Sequence, residues 1–206
     1  MSTLHSFSQG ELLDRTTTDP EIRQGVCAAL CAYWLSRMKV DSDNAPEHRL
    51  RMLENQIWPI IRQQQQYGRE RRQHGRNAAQ RNLGARQGLN YDPDQTVIAA
   101  IPPNLDAVAG MANLKQRFKA DISRPGKATA WSLRFADGGG HAIAGFCNLT
   151  PIPNGFRYQL HVFDPNIGEY VGTLQEIDAM LDNLFRRPCY QKLQIVEAHR
   201  ILVGIF

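Results

Sequence analysis

Long apolar runs are missing from this 206-residue chain; none approaches the roughly 18 residues needed to cross a bilayer, so no membrane-spanning helix is expected. Met1 to Gln9 carries neither the basic nor the apolar region of a general secretory signal. Cysteine is sparse: Cys27, Cys31, Cys147 and Cys189 include no metal-ligand pair of the two-residue-gap type, and a disulfide framework is not expected at this length. Neither a metal nor a cofactor is expected, and free thiols fit a reducing working compartment. Charge of one sign is also in short supply. Lys and Arg number 24 against 20 Asp and Glu, and the net +4 is too small to argue for nucleic acid.

What is present, 42% hydrophobic and 21% charged residues, is the composition of one ordinary globular domain spanning residues 1–206. Residues 1–18 read as a flexible polar leader, which suits a contact-dependent secretion signal as well as a frayed terminus. Asp19-Pro20 is a helix-start signal, followed by a short turn to Gln24 that Gly25 breaks. A main helix is expected from Val26 to Met38, ended by Asp41-Ser-Asp-Asn44. A second is expected from Pro46 to about Gln66, with Leu50, Leu53, Ile57, Trp58 and Ile61 on one face and Pro59 bending or interrupting it.

Between Arg62 and Gly88 the composition shifts to seven arginines, four consecutive glutamines and a single acid, Glu70. This segment, 62–88, reads as a basic arm or insertion, either solvated and mobile or touching a partner. Its one aromatic, Tyr67, is too little for base stacking. Thr96 to Ile101 is a short apolar run, and Leu105 to Lys119 an amphipathic helix. From Lys127 onward strands are expected at 128–135, 141–149, 156–163 and 170–173, with turns at 137–140 and 153–155. Leu174 to Arg186 reads as a helix closed by Pro188, and 193–206 as a return to the sheet. Helices first and an antiparallel sheet after is an α+β layout.

Cys27 stands on the first turn of the main helix, directly behind a glycine turn. There the macrodipole and unpaired backbone N–H groups favour a thiolate. The plainer alternative is core packing, because Cys27, Leu30, Cys31, Trp34 and Leu35 fall at helical spacing. His141 heads a strand of small residues, and Asp164 ends the next one. If Pro153-Asn154-Gly155 is a hairpin turn, residues whose numbers sum to about 305 lie opposite one another, which pairs His141 with Asp164. His161, three residues earlier, then points to the opposite face and reads as structural. A thiol, an imidazole and a carboxylate make up a nucleophile, base and orienter set.

Gly25-Val-Cys27 with its Trp34-Leu35 helix, then Gly140-His141-Ala142, then Phe163-Asp164-Pro165-Asn166 with Gly168-Glu169-Tyr170, resemble the YopT and AvrPphB type of papain-like cysteine protease. These are bacterial effectors delivered into host cells. The resemblance implies a papain-like fold, an N-terminal helical half packed on a C-terminal antiparallel sheet with the site between them. It makes Cys27 the nucleophile, His141 the base and Asp164 the orienting carboxylate. Glu21 and Ile22 hold the positions where papain-like enzymes carry an oxyanion-hole amide, which leaves Gln24 as the candidate donor.

The activity implied is endopeptidase cleavage of a target-cell protein through a thioester acyl-enzyme. Such a protein would be made in a bacterial cytoplasm, leave it without a general secretory signal and act in host or target-cell cytoplasm. A secretion chaperone or a neutralising immunity protein would be its further partners. The same triad would serve a glutamine deamidase or transglutaminase. A basic-arm binding module with Cys27 in its core is the non-catalytic alternative.

Overall fold

The computed structural model describes residues 2–19, 22, 25–93, 99–100, 107–192 and 194–204. The β-rich second half of the chain builds most of one antiparallel sheet. Its strands are β1 (Thr3–Ser6), β2 (Asn90–Pro93), β3 (Ala99–Ala100), β4 (Ala128–Phe135), β5 (Gly140–Ile152), β6 (Gly155–Asp164), β7 (Gly168–Gly172) and β8 (Ile195–Gly204). They run in the order β1-β7-β6-β5-β4-β8-β2, with β3 also paired to β8.

Side chains alternate across each strand, and the two faces differ in size. Ala128, Ala130, Ala142, Ala144 and Phe146 belong to the core under helix α2 (Cys27–Asp41). Small residues there let the helix come close, and the Cys31 thiol donates to the Ala142 carbonyl at 3.3 Å. The same core takes in α3 (Pro46–Asn55), α4 (Ile57–His74) and α5 (Arg76–Arg86). The other face, with Trp131, Leu133, Ile143, Leu160 and Val162, is covered by α6 (Ala107–Ile122) and α7 (Ile177–Phe185). Helices therefore flank the sheet on both sides. The helix expected from Leu174 to Arg186 supplies part of the second layer, its apolar stripe buried against the sheet.

Residues 3–16, expected to belong to a flexible leader, form a strand and a helix. Thr3 to Ser6 pair with β7, from Thr3 opposite Val171 to Ser6 opposite Gly168. Gly168 has φ +129°, and a Cβ there would lie 2.0 Å from the His5 carbonyl oxygen, so only glycine lets the strands approach. Helix α1 (Gln9–Thr16) follows, capped by Ser8, and seats Leu12 and Leu13 in the core. Polar composition suggested a frayed end, but an edge strand gains its backbone partners from the sheet whatever its side chains.

Residues 62–88 are likewise helical instead of a mobile arm. Tyr67, Ala79 and Leu83 are buried, and Glu70 accepts from Gln66, Asn82 and Arg86. The break between α3 and α4 falls at Gln56, ahead of Pro59, where a missing N–H and a ring crowding the preceding turn make continuation costly. Pro188 opens a further helix, α8 (Pro188–Lys192), because proline suits a first helical position. Pro20, the turn to Gln24 apart from Ile22, and most of the Thr96–Ile101 run lie outside the described residues, as does the expected helix start at Leu105. Among the described residues no helix is long and apolar enough to cross a membrane.

One buried ion cluster fastens the helical side to the sheet. Glu169 of β7 accepts from Trp34 Nε1 at 2.9 Å and Arg49 Nη2 at 2.5 Å, and lies 2.8 Å from His161 Nδ1. Burial alone would raise the Glu169 carboxyl, but His161 and Arg49 bring it down to about 2. His161 is thus structural, as expected, and Trp34 stacks on Phe163 with ring centroids 5.4 Å apart.

Candidate active site

Chain direction brings three functional groups to one end of the sheet. β5 begins where β6 ends, so His141 and Asp164 are neighbours, and the N-terminus of α2 delivers Cys27 to the same cleft. The hairpin register differs from expectation by two positions, with Ala144 opposite Phe163 and the loop confined to Pro153-Asn154. An even shift keeps every side chain on its face. His141 and Asp164 become diagonal neighbours instead of directly opposed ones, and the imidazole Nε2 lies 2.9 Å from Asp164 Oδ1.

That contact leaves Nδ1 as the ring nitrogen free to serve the Cys27 thiol, which lines the same cleft and helps to raise His141. Cys27 is the first residue of α2 and is half-buried, while Cys31 and Cys147 are buried. The turn in front of it depends on Gly25, at φ +119°, and on Gln9. The Gln9 side chain accepts from Val26 N at 2.9 Å through Oε1 and donates from Nε2 to Asn166 Oδ1 at 2.7 Å. A Gln64 oxygen takes the Ala29 amide at 3.1 Å, so side-chain amides satisfy two N–H groups at the start of the helix.

The carboxylate is fully enclosed. Asp164 Oδ2 accepts from the Tyr190 hydroxyl, and Oδ1 accepts from the Asn166 backbone N–H at 2.8 Å. Burial would raise its carboxyl, but the charge and hydrogen bond of His141, with Tyr190 and Asn166, hold it below the usual range. Burial also works against a charged imidazole, yet the charge and hydrogen bond of Asp164, together with Cys27, raise His141 to about 10. Burial pushes the other thiols up: Cys31 well above its ordinary value, Cys147 to about 11, and Cys189 by a smaller step. The arrangement can therefore keep an imidazolium beside the Cys27 sulfur at neutral pH.

The sequence-predicted residues Cys27, His141 and Asp164 are all brought together. Gln24, the candidate amide donor, lies outside the described residues. Sequence reasoning missed Tyr190 and Gln9, for which no local signal exists: Tyr190 is 26 positions from the carboxylate it binds, and Gln9 is 157 from Asn166. Asn166 could have been found, because Asp-Pro-Asn is a turn whose aspartate accepts from the amide two residues on. Among the described residues no group of three His, Cys, Asp or Glu could hold a metal ion.

Comparison with known proteins matches residues 3–200 to the peptidase C58 family, described as Yersinia/Haemophilus virulence surface antigen. The cysteine protease avirulence protein AvrPphB of Pseudomonas savastanoi pv. phaseolicola is 28% identical over 188 residues, which cover 87% of this chain. They cover 64% of that relative, so the chain spans a little under two thirds of its length. The crystal structure of the Pseudomonas avirulence protein AvrPphB matches with a TM-score of 0.69 at 20% identity, over 94% of this chain and 99% of that one. The papain-like α+β fold is shared.

Proposed function

This chain belongs to the peptidase C58 family, and from that premise we propose that it is a cysteine endopeptidase using Cys27, His141 and Asp164 to cut a protein of a host or target cell. With the thiol proton already on His141 Nδ1, the sulfur lone pair attacks the scissile carbonyl carbon. The resulting oxyanion needs donors, for which the backbone N–H groups at the start of α2 and the side-chain amide of Gln9 are the described candidates. As the carbonyl re-forms, the carbon–nitrogen bond breaks and the leaving amine takes the proton from His141. A thioester remains. Water then gives a proton to His141 and adds to the thioester carbon, and the carbon–sulfur bond breaks to return the thiolate. Asp164 stays ionised throughout and fixes the ring so that Nδ1 faces the sulfur.

The observation that carries this reading is the meeting of Cys27 with the hydrogen-bonded His141–Asp164 pair at an open cleft, set where a helix N-terminus meets two strand ends. The avirulence and virulence names of the relatives support delivery into another cell as the setting.

To test it, the full chain and its Cys27→Ala variant are incubated with a proteome-derived peptide library, and products are read by mass spectrometry. New termini made by wild type alone are expected. Mass gains of about one dalton at glutamine, without new termini, would replace cleavage by deamidation.

A further inference from the structure

The arginine-rich segment singled out in the sequence is one wall of the cleft that holds the thiol. Arg69, Arg71 and Arg72 of α4, Arg76 of α5 and Arg134 of β4 line the same space, about 870 Å³, as Cys27 and His141. Glu197 is the acid among the described lining residues, and it is already engaged by Arg134 at 2.7 Å and His199 at 3.3 Å. Glu70, the acid of the arginine run, is held by Arg86, Asn82 and Gln66 and does not line the cleft. The Arg76 Nε is buried with no hydrogen-bond partner among the described residues. Guanidinium groups thus outnumber the carboxylates facing them, inside a concave wall that concentrates their field.

We propose that this cleft selects polypeptide segments rich in Asp and Glu around the bond to be cut. Planar guanidinium groups match carboxylates through paired N–H donors, which gives both attraction and orientation. A nucleic acid fits less well, because the aromatic among the described lining residues, Tyr67, is buried and offers no face for stacking. The proposal rests on the protease reading for its meaning, but binding tests it separately. Charge complementarity acts on encounter and affinity and fades with salt.

The decisive measurement is fluorescence anisotropy with labelled Glu-Ala and Lys-Ala repeat peptides and a single-stranded oligonucleotide, titrated with full-length Cys27→Ala protein. A second protein adds Arg69→Gln, Arg71→Gln and Arg72→Gln, at three positions that are exposed and so leave the core alone. The Glu-Ala peptide is expected to bind at least about tenfold tighter than the Lys-Ala peptide. Salt should shrink this preference, and the triple change should abolish it. Equal binding of the two peptides, a preference untouched by the triple change, or tighter binding of the oligonucleotide would overturn the proposal. In the library digestion, Asp and Glu should crowd the wild-type cut sites. A library left uncut would strike the protease reading, while the anisotropy result would still decide the proposal.

Discussion

The hydroxyl of Tyr190 donates to Oδ2 of Asp164 at 2.5 Å while Oδ1 of the same carboxylate faces His141 at 2.9 Å. One buried side chain is thus shared between helix α8 and the imidazole. The carboxylate cannot rotate toward the ring without breaking its bond to the phenol. Tyr190 therefore acts on His141 through Asp164, as a positioning residue.

Tyr190→Phe removes that bond and keeps the ring packed against Phe185. A hydrogen bond to a charged group contributes about 1.5–3 kcal/mol, so a stability loss in that range is expected by chemical denaturation. In peptide cleavage kcat should fall while KM holds, because the substrate side of the cleft is untouched. A lower KM-normalised rate caused by KM alone would point to substrate binding instead.

Asp164→Asn should leave the fold intact and lower turnover by several powers of ten, toward the about 10⁴-fold effect of the matching change in a serine triad. The pH profile adds a second readout. His141 is raised to about 10, so its protonated form persists through neutral pH, and what that form adds to stability is complete below about 6.5 and lost as pH rises through about 10. The alkaline limb of the wild-type rate profile is expected near that upper value. Because Asp164 is the chief group raising it, the residual activity of Asp164→Asn should fall off at distinctly lower pH. An unmoved alkaline limb would separate it from His141.

Glu169→Gln tests the cluster behind the site. Removing one partner of a buried ion pair costs about 3–5 kcal/mol, and here Arg49 would lose its carboxylate. The wild-type carboxyl is depressed from 4.5 to about 2, so its contribution is full above the former value and lost as pH falls toward the latter. Acid titration of stability should show that loss in wild type and a flatter curve in Glu169→Gln.

The four thiols should react in an order set by exposure and environment. Cys27 and Cys189 are half-buried, whereas Cys31 and Cys147 are buried and their thiols are pushed up. Iodoacetamide at near-neutral pH is expected to modify Cys27 first and to stop cleavage in step with that modification. Cys31 and Cys147 should react only on unfolding. Full activity after stoichiometric labelling of Cys27 would remove it from the chemistry.

The parts of the site that were legible in the sequence are those whose signals are local. Cys27 follows a glycine turn into an apolar helix, and His141 and Asp164 flank a hairpin whose Pro-Asn-Gly turn is readable without any structure. A hairpin forgives an even error in register, which is why the two met despite a shift of two positions. Strand β4 is equally plain in its apolar run, and its bounds, Ala128 to Phe135, match expectation. Two of the misreadings share one cause. Thr3 to Ser6 and residues 62–88 are polar segments whose structure comes from partners distant in the chain, a sheet edge in one case and buried Tyr67 and Leu83 in the other. Neither Gln9 nor Tyr190 carries a mark of its role, since that role is to touch a residue far away in sequence.

The pairing of β1 with β7 also sets an order of assembly during synthesis. Thr3 to Ser6 leave the ribosome long before their partners, Gly168 to Val171. Gln9, which holds the Val26 amide, needs Asn166, and its own backbone N–H bonds the Pro165 carbonyl. On a ribosome the thiol would therefore exist long before its base, its carboxylate or the turn that aims it. Late, distant contacts of this kind make a domain slow to close. On the proposed protease reading, such a chain would stay harmless to the translation machinery until β7 has been made. Ribosome-stalled chains ending before Gly168 should accordingly react with a thiol-directed probe no faster than the unfolded protein, and a fast reaction there would show that the site closes without β7.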